Sequence, residues 1–477
     1  MLAIAKFGGS SLSCAANWKR VREIVTGDIA RRVIVVSAAG KRHADDHKIT
    51  DLLYLCHAHL RYGVPCWELW RKIASRYLAI RDECAIDYPI EDDLDAIYES
   101  LSARTSADFL ASRGEYLAAK LMAAYLGFSF VDARSWLQFD YAGNVLQEAS
   151  YAALQSLADG RKIVTPGFYG ALPDGAVHTL PRGGSDVTGA LAAAALHADL
   201  YENWTDVTGV LAADPRLIQN PAPVGQLRYE ELQTLSRVGM QILHEDAVAP
   251  VRQAQIPLRI CNAFEPEKPG TLVRPQVEPD GGQICFAGRR KLAMLRLSCP
   301  QEPDAETKLA DVLEQARLSP FSMQSVCGEL TVLVPMEPGS ERLHRLREQA
   351  AQALRPQACT LRENLSVLAA LCRSTAAVPP SPRPSFPRAT HWGWCCLWRT
   401  RAKTTSARRS TSSRRPSPPS SAGTWRAEKG KRPTGGTLPF FLFSQSLTTL
   451  IWHIFIVSSA WRWLSGVTPA QQLASTV

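Results

Sequence analysis

Much of what a 477-residue chain could carry is missing from this one. None of its 12 cysteines forms a C-x-x-C pair, and none shares a zinc-like spacing with histidine, which argues against finger and ribbon metal sites and thioredoxin-type redox motifs. They read as free thiols of a reducing cytosol. Cys14 and Cys261 lack a neighbouring histidine or basic cluster and are expected to pack rather than react. No signal-peptide pattern precedes the first strand, since Met1 leads directly into it, and a cytoplasmic location is expected. Acid is nearly absent from the last part of the chain: from Arg373 onward there are 15 Lys and Arg residues against the single Glu428. Residues 1–372 therefore hold 39 basic and 44 acidic side chains, a net of −5, although the whole chain carries +9. The basic balance belongs to the tail, so the folded part is not expected to bind nucleic acid. Only 438–460 runs long without Lys, Arg, Asp or Glu, and its seven Ser, Thr and Gln residues make it a poor membrane span.

What is present begins at residue 2. The run 2–5 reads as a buried strand, Lys6-Phe7-Gly8-Gly9-Ser10-Ser11 as a strand end with a side-chain-free turn, and 17–25 as a helix. Backbone N–H groups at Gly8 and Gly9, with the Lys6 cation beside them, suit a phosphate group, although this turn matches neither the P-loop nor the dinucleotide fingerprint. Residues 32–37 form a second strand ending at Ser37, the polar stretch 41–48 a connection, and 49–53 the start of a helix with Thr50 near its cap. Arg113, Gly114 and Glu115 are expected to open a helix over 116–126, followed by strands at 128–132 and 163–168. A second glycine turn, Arg182-Gly183-Gly184-Ser185-Asp186, leads into an Ala-rich helix, and the strand 198–204 delivers Thr205 and Asp206 to its end. This alternation predicts a parallel sheet with crossover helices, whose ligands gather at the carboxyl ends of the strands. Arg182 is suited to a bidentate grip on a carboxylate, and Asp186 to ordering Lys6 or holding magnesium through water. Read singly, Arg182 is more readily a surface ion-pair residue and Asp186 a helix cap. From about residue 282 the pattern changes to shorter strands and helices: strand 291–298, helix 306–317, strand 328–334 and helix 342–354. Beyond Cys372, Pro-, Ser- and Arg-rich sequence cannot bury a core and is expected to be disordered.

The motifs K-F-G-G-S-S at 6–11, G-E at 114–115, R-G-G-S-D at 182–186 and W-T-D-V-T-G-V-L-A-A-D-P-R at 204–216 resemble, in order and spacing, the aspartate kinases of the amino acid kinase family. The resemblance covers 1–275 strongly and 285–372 more weakly. It implies a three-layer αβα sandwich around a mainly parallel sheet at 1–275, an incomplete α+β ACT-like regulatory region at 285–372, and a tail at 373–477 that follows neither. Because the pattern is lost inside an expected strand, the tail is expected to come from a shifted reading frame.

The implied activity is ATP-dependent phosphorylation of the side-chain carboxylate of L-aspartate. ATP with Mg2+ would be required, an amino-acid effector would act at the ACT region, and the chain would be a homodimer if that region folds. The resemblance assigns Lys6 and Asp186 to catalysis. It assigns Lys6, Phe7, Gly8, Gly9, Ser10, Thr205, Asp206, Leu211, Arg216, Gln241 and Ile242 to ATP, and Ser37, Thr50, Glu115, Arg182, Gly183 and Gly184 to the substrate. No residue is assigned as a direct metal ligand. Leu211 and Gln241 depart from the residues many members carry there, Tyr and Lys. A related acid kinase, a nucleotide- or amino-acid-binding protein without activity, and a basic-tail binder of DNA or membranes are the competing readings.

Overall fold

The computed structural model describes residues 1–372 except 182, 216–218, 241, 242, 244, 278–283, 327, 337 and 338. It also describes the backbone of 396–399 and 451–454, while the side chains of 237, 245, 284 and 368–372 lie outside the description. The chain divides into two compact units, Met1–Ala287 and Gly288–Val477.

The first unit is built on strands β1 (Ala3–Phe7), β2 (Arg31–Val36), β3 (Ser129–Phe130), β4 (Ile163–Pro166), β5 (Tyr169–Ala171), β6 (Val177–Thr179), β7 (Leu200–Thr205), β8 (Val210–Leu211), β9 (Pro223–Val224), β10 (Gln226–Leu227), β11 (Leu258–Asn262) and β12 (Thr271–Val273). Its helices are α1 (Ala15–Thr26), α2 (Ile49–Arg61), α3 (Trp67–Glu83), α4 (Ile90–Glu99), α5 (Ala107–Leu126), α6 (Gln147–Ala158), α7 (Gly184–Ala195), α8 (Tyr229–Val238) and α9 (Val248–Gln253). The main sheet runs β10-β12-β11-β7-β1-β2-β4-β3 and is parallel except where β12 meets β11. After β1 the chain moves out through β2 to β4 on one side, then returns to place β7 on the other. The switch in strand order therefore falls at the carboxyl end of β1, the place where open α/β sheets bind ligands.

Strand period 2 sorts the side chains of β1 to two faces. Ala5 and Phe7 join Ile34, Val36, Val164, Trp204 and Cys261 in a core shared with α1 through α5. Ile4 and Lys6 point the other way, toward α7. The apolar residues Ala15, Trp18, Val21, Ile24 and Val25 make one buried stripe on α1. Helix α5 is capped by the Ser106 hydroxyl, which accepts the Phe109 N–H at 3.1 Å, and stops at Gly127 in the left-handed conformation. Arg113, Gly114 and Glu115 lie in the middle of this helix, not at its start as the sequence suggests. Gly114 is no helix breaker here: a Cβ at this position would stand 2.7 Å from that of Ala38, so the residue permits α5 to approach the loop after β2. Thr50 sits inside the first turn of α2, whose cap position is Lys48.

The second unit contains β13 (Ile284–Ser298) from Gly288 onward, α10 (Ala305–Gln315), β14 (Ser322–Val326), β15 (Glu329–Pro335), α11 (Ser340–Leu354) and β16 (Ala358–Cys372). Its antiparallel core of Ala293, Leu295, Leu297, Leu330, Val332 and Val334 is covered by Leu309, Val312, Leu313, Leu343 and Leu346 of the two helices. Two four-residue strands, β17 (Cys396–Arg399) and β18 (Ile451–Ile454), pair with the last eight residues of β16. The expectations for the rest of 373–477 concern residues outside the description. Among the described residues no helix is long and apolar enough to cross a membrane.

Candidate active site

Lys6 is the fourth residue of β1 and reaches across to the first turn of α7, where its Nζ lies 2.5 Å from Asp186 Oδ1. Asn203, the register partner of Lys6 on β7, donates to the same oxygen at 2.9 Å. Tyr201 Oη donates to the Asp186 backbone carbonyl at 2.9 Å, so the start of α7 is fastened to the sheet at two points. Lys6 is 6% exposed and Asn203 3%. A buried ammonium is tolerated only where anionic groups compensate it, and Asp186 supplies one. Asp186 is not the cap of α7. That position belongs to Gly183, at φ 80°, a conformation glycine adopts without strain.

The turn that follows β1 is held against the turn that follows β2. Gly8 N–H donates to Trp204 O at 3.0 Å and Gly40 N–H to Gly9 O at 2.8 Å. A Cβ on Gly9 would come within 2.8 Å of Ala38 O, so the two backbones can meet only without a side chain there. Ser10 begins a short 3-10 turn over Ser10–Leu12, and its carbonyl accepts from Asn17 Nδ2 at 3.0 Å. Ser11 is buried, and its hydroxyl finds no partner among the described residues. Ser37 continues the same edge, its N–H donating to Phe7 O at 3.1 Å.

Glu115 enters from α5 on the opposite side. It is 5% exposed, and its Oε2 likewise lacks a partner among the described residues. Burial pushes its carboxyl up to about 7, against the lowering influence of the Ala38 N–H, its own N–H and the Arg113 charge. Arg113 is itself buried among the rings of Phe109, Tyr116 and Tyr169. A buried carboxylate with a free oxygen is costly unless something cationic or proton-donating meets it.

Thr205 and Asp206 stand at the end of β7, with Thr205 Oγ1 donating to Asp206 Oδ1 at 3.2 Å. Leu211 lies in β8, on the segment that follows. Thus Lys6, Phe7, Gly8, Gly9, Ser10, Ser37, Thr205 and Asp206, with Gly183, Gly184 and Asp186 at the start of α7, all fall on the carboxyl edge of the sheet around the switch point. Glu115 lies next to Gly114, the position at which α5 packs against Ala38 of that edge. Thr50 lies on α2, which packs its Ile49 N–H on Ala39 O at 3.2 Å. Arg182, Arg216, Gln241 and Ile242 lie outside the described residues.

Three groups escaped sequence reasoning. Asn203 is one, though its place two residues before Thr205 on a strand puts it on the Lys6 face. Another is the knot of Thr208, Asn262 and Glu265, in which Thr208 Oγ1 donates to Glu265 Oε2 at 2.6 Å and Asn262 Nδ2 reaches both, tying the loop after β7 to the end of β11. The third is a cluster of Arg42, Asp46 and Arg76 behind the loop after β2. Cys261 packs in the core with its thiol pushed up to about 12 by burial, as expected of a structural cysteine.

The amino acid kinase family model matches residues 1–262. The chain belongs to the amino acid kinase family. It is 36% identical over 299 residues to aspartokinase 3 of Bacillus subtilis, covering 59% of this chain and 66% of that one. It is 32% identical to the chloroplastic aspartokinase 1 of Arabidopsis thaliana, covering 57% and 51%. The chain thus spans between half and two thirds of the length of these curated relatives. Among solved structures, the aspartate kinase of Clostridium acetobutylicum is similar with a TM-score of 0.69 at 34% identity, covering 78% of this chain and 86% of that one. Aspartokinase III of E. coli shares the fold at TM-score 0.65 and 24% identity, covering 80% and 90%. The switch point is lined by a buried lysine, the Gly8–Gly9 turn and a carboxylate oxygen without a partner among the described residues.

Proposed function

We propose that the first unit transfers the γ-phosphoryl group of ATP to the side-chain carboxylate of L-aspartate, giving 4-phospho-L-aspartate and ADP. The observation that carries the reading is the Lys6 ammonium, held by Asp186 beside the Gly8–Gly9 turn at the switch point of the sheet. The names of the similar proteins support the choice of aspartate.

The residues suit a triphosphate. The turn leaves no side chain between its amides and a ligand, and Ser11 keeps a buried hydroxyl without a partner among the described residues. They also suit magnesium that arrives on the nucleotide. Among the described residues no three His, Cys, Asp or Glu side chains gather into a cage, and an ion held by phosphates and water needs none. Such an ion would supply charge neutralisation at the phosphates.

In the transfer, a carboxylate oxygen of aspartate forms the new bond to phosphorus as the bond to the bridging oxygen breaks, and ADP leaves with that electron pair. No general base is required, because the carboxylate is already ionised. The work of the site is to bring two anions together, which Lys6 and the Gly9 amide do by offsetting charge and fixing position, the Gly8 amide being taken by Trp204 O. Glu115 would accept the substrate ammonium, and Arg182 its α-carboxylate. Thr205, Asp206, Leu211, Arg216, Gln241 and Ile242 would hold the nucleoside, and Ser37, Thr50, Gly183 and Gly184 would line the aspartate side. The second unit, as an ACT-like region, would receive an amino-acid effector and pair two copies of the chain.

Hydroxamate trapping with ATP and magnesium, run with aspartate, glutamate and acetylglutamate, tests the reading. Product with aspartate alone is expected, and product with another acid instead would overturn it.

A further inference from the structure

The loop joining β2 to α2 carries a buried polar cluster that the reaction does not call on. Asp46, 8% exposed, accepts from the Arg42 N–H at 3.0 Å and Nε at 2.9 Å. It also takes both of its bonds to Arg76 from Nη2, at 2.7 and 2.9 Å. Arg76 belongs to α3, is 5% exposed, and uses Nη1 to reach Gly40 O at 2.9 Å. Two guanidinium groups on one carboxylate hold its charge firmly, well below the usual carboxylate range, chiefly through the Arg42 bonds. They also place like charges side by side, and burial together with the Arg42 charge lowers the Arg76 guanidinium from its ordinary value.

What the cluster fixes is the segment 38–40, which touches both halves of the site. Ala38 packs against α5 beside Glu115, so closely that a Cβ on the adjoining Gly114 would stand 2.7 Å from its own. Gly40 N–H donates to Gly9 O, and a Cβ on Gly40 would meet that oxygen at 2.6 Å. One guanidinium on α3 is therefore a single hydrogen bond away from the residue that abuts the Gly8–Gly9 turn.

We propose that Arg76, through Asp46 and Gly40, is a positioning residue that sets the distance between the phosphate-binding turn and Glu115. The inference rests on the reading of this edge as the ATP and aspartate site. Misplacement of reacting groups by about an ångström costs on the order of a hundredfold in rate, so the effect should appear in kcat as well as in KM.

The test uses the full chain and its Arg76→Lys, Arg76→Met and Asp46→Asn variants. In Arg76→Met, kcat is expected to fall by roughly 10–100-fold at temperatures well below melting, with added methylguanidinium restoring part of the rate. Lys6→Met should gain nothing from the additive. Hydrogen exchange of peptides spanning 7–13 and 38–48 reads the coupling without reference to turnover, and in Arg76→Met both should exchange about tenfold faster. If Arg76→Met fails to fold, the same measurements on Arg76→Lys and Asp46→Asn decide. Unchanged exchange at 7–13, or unchanged kcat with wild-type turnover intact, overturns the proposal. Absence of aspartate-dependent turnover in the wild type instead overturns the functional reading, and the exchange data still judge the coupling.

Discussion

Two buried ion pairs are anchored on neighbouring central strands, Arg31–Glu202 between β2 and β7 and Lys6–Asp186 between β1 and α7, and they serve different ends. Arg31 at the start of β2 meets Glu202 of β7 through Nε at 2.6 Å and Nη2 at 3.1 Å, and donates to Ile24 O at 2.6 Å. Glu202 also accepts from Trp204 Nε1 at 3.0 Å, and the Arg31 guanidinium lies over the Trp204 ring. This pair is closed, because its charge is spent on protein groups. Lys6 and Asp186 are nearly as buried, yet among the described residues the ammonium is met by one carboxylate, beside a turn without side chains at Gly8 and Gly9. Burial and charge are alike in the two pairs. The difference lies in what remains to be satisfied, and that distinguishes a strut from a site.

The comparison can be broken at either pair. Lys6→Met should lower kcat by about 10³-fold or more in protein that still folds, as loss of a group that stabilises transferring charge does. Retained turnover would erase the distinction. Arg31→Met leaves Glu202 buried and uncompensated and should cost about 3–5 kcal/mol in denaturant unfolding. Its turnover per folded molecule should stay near wild type, and a matching loss of kcat would show that the strut is part of the site.

Glu115 sharpens the contrast, since it is a buried charge with no ion-pair partner of its own among the described residues. Glu115→Gln should raise the aspartate KM by roughly 10–100-fold, the worth of a charge-assisted bond. The same change should stabilise the protein at alkaline pH. The folded carboxyl is raised from 4.5 to about 7, so its contribution to stability is full below pH 4.5 and is lost as pH rises through 7. Melting curves of wild type and Glu115→Gln should accordingly diverge between pH 5 and about 8, the variant gaining. The smallest effect is on wild-type affinity. The aspartate KM should fall as pH rises from about 6 to 8, because only the ionised Glu115 attracts an ammonium. A flat profile would separate Glu115 from substrate binding.

The parts of the site that are local patterns are legible in the order of the amino acids. Lys6 with Gly8 and Gly9 declares itself by a strand, a turn and a cation in immediate succession, and Gly183 to Asp186 by a glycine turn ahead of an Ala-rich helix. The parallel sheet follows from the alternation of strands and helices. Less legible is anything set by meetings across the chain. Gly114 reads as a helix start because glycine usually punctuates, whereas here it makes room for Ala38, 76 positions earlier in the chain. Arg76 meets Asp46 across 30 residues and Gly40 across 36, and a loop holding Arg42, Asp45, Asp46 and Lys48 looks like ordinary solvated polarity. Asp186 read alone looks more like a cap, and the structure gives that position to Gly183 and Asp186 to Lys6.

The placement of β1 at the middle of the sheet has a consequence for synthesis. One neighbour, β2, emerges from the ribosome almost at once, but the other, β7, begins at Leu200. Until then one long side of β1 is an unpaired edge, open to wrong partners in a crowded cell. The lysine and its aspartate are separated by a similar interval, 180 positions. A nascent chain that stops short of Asp186 therefore cannot assemble the ion pair, and any ligand that gathers around it can hold the protein only after most of the first unit has been made.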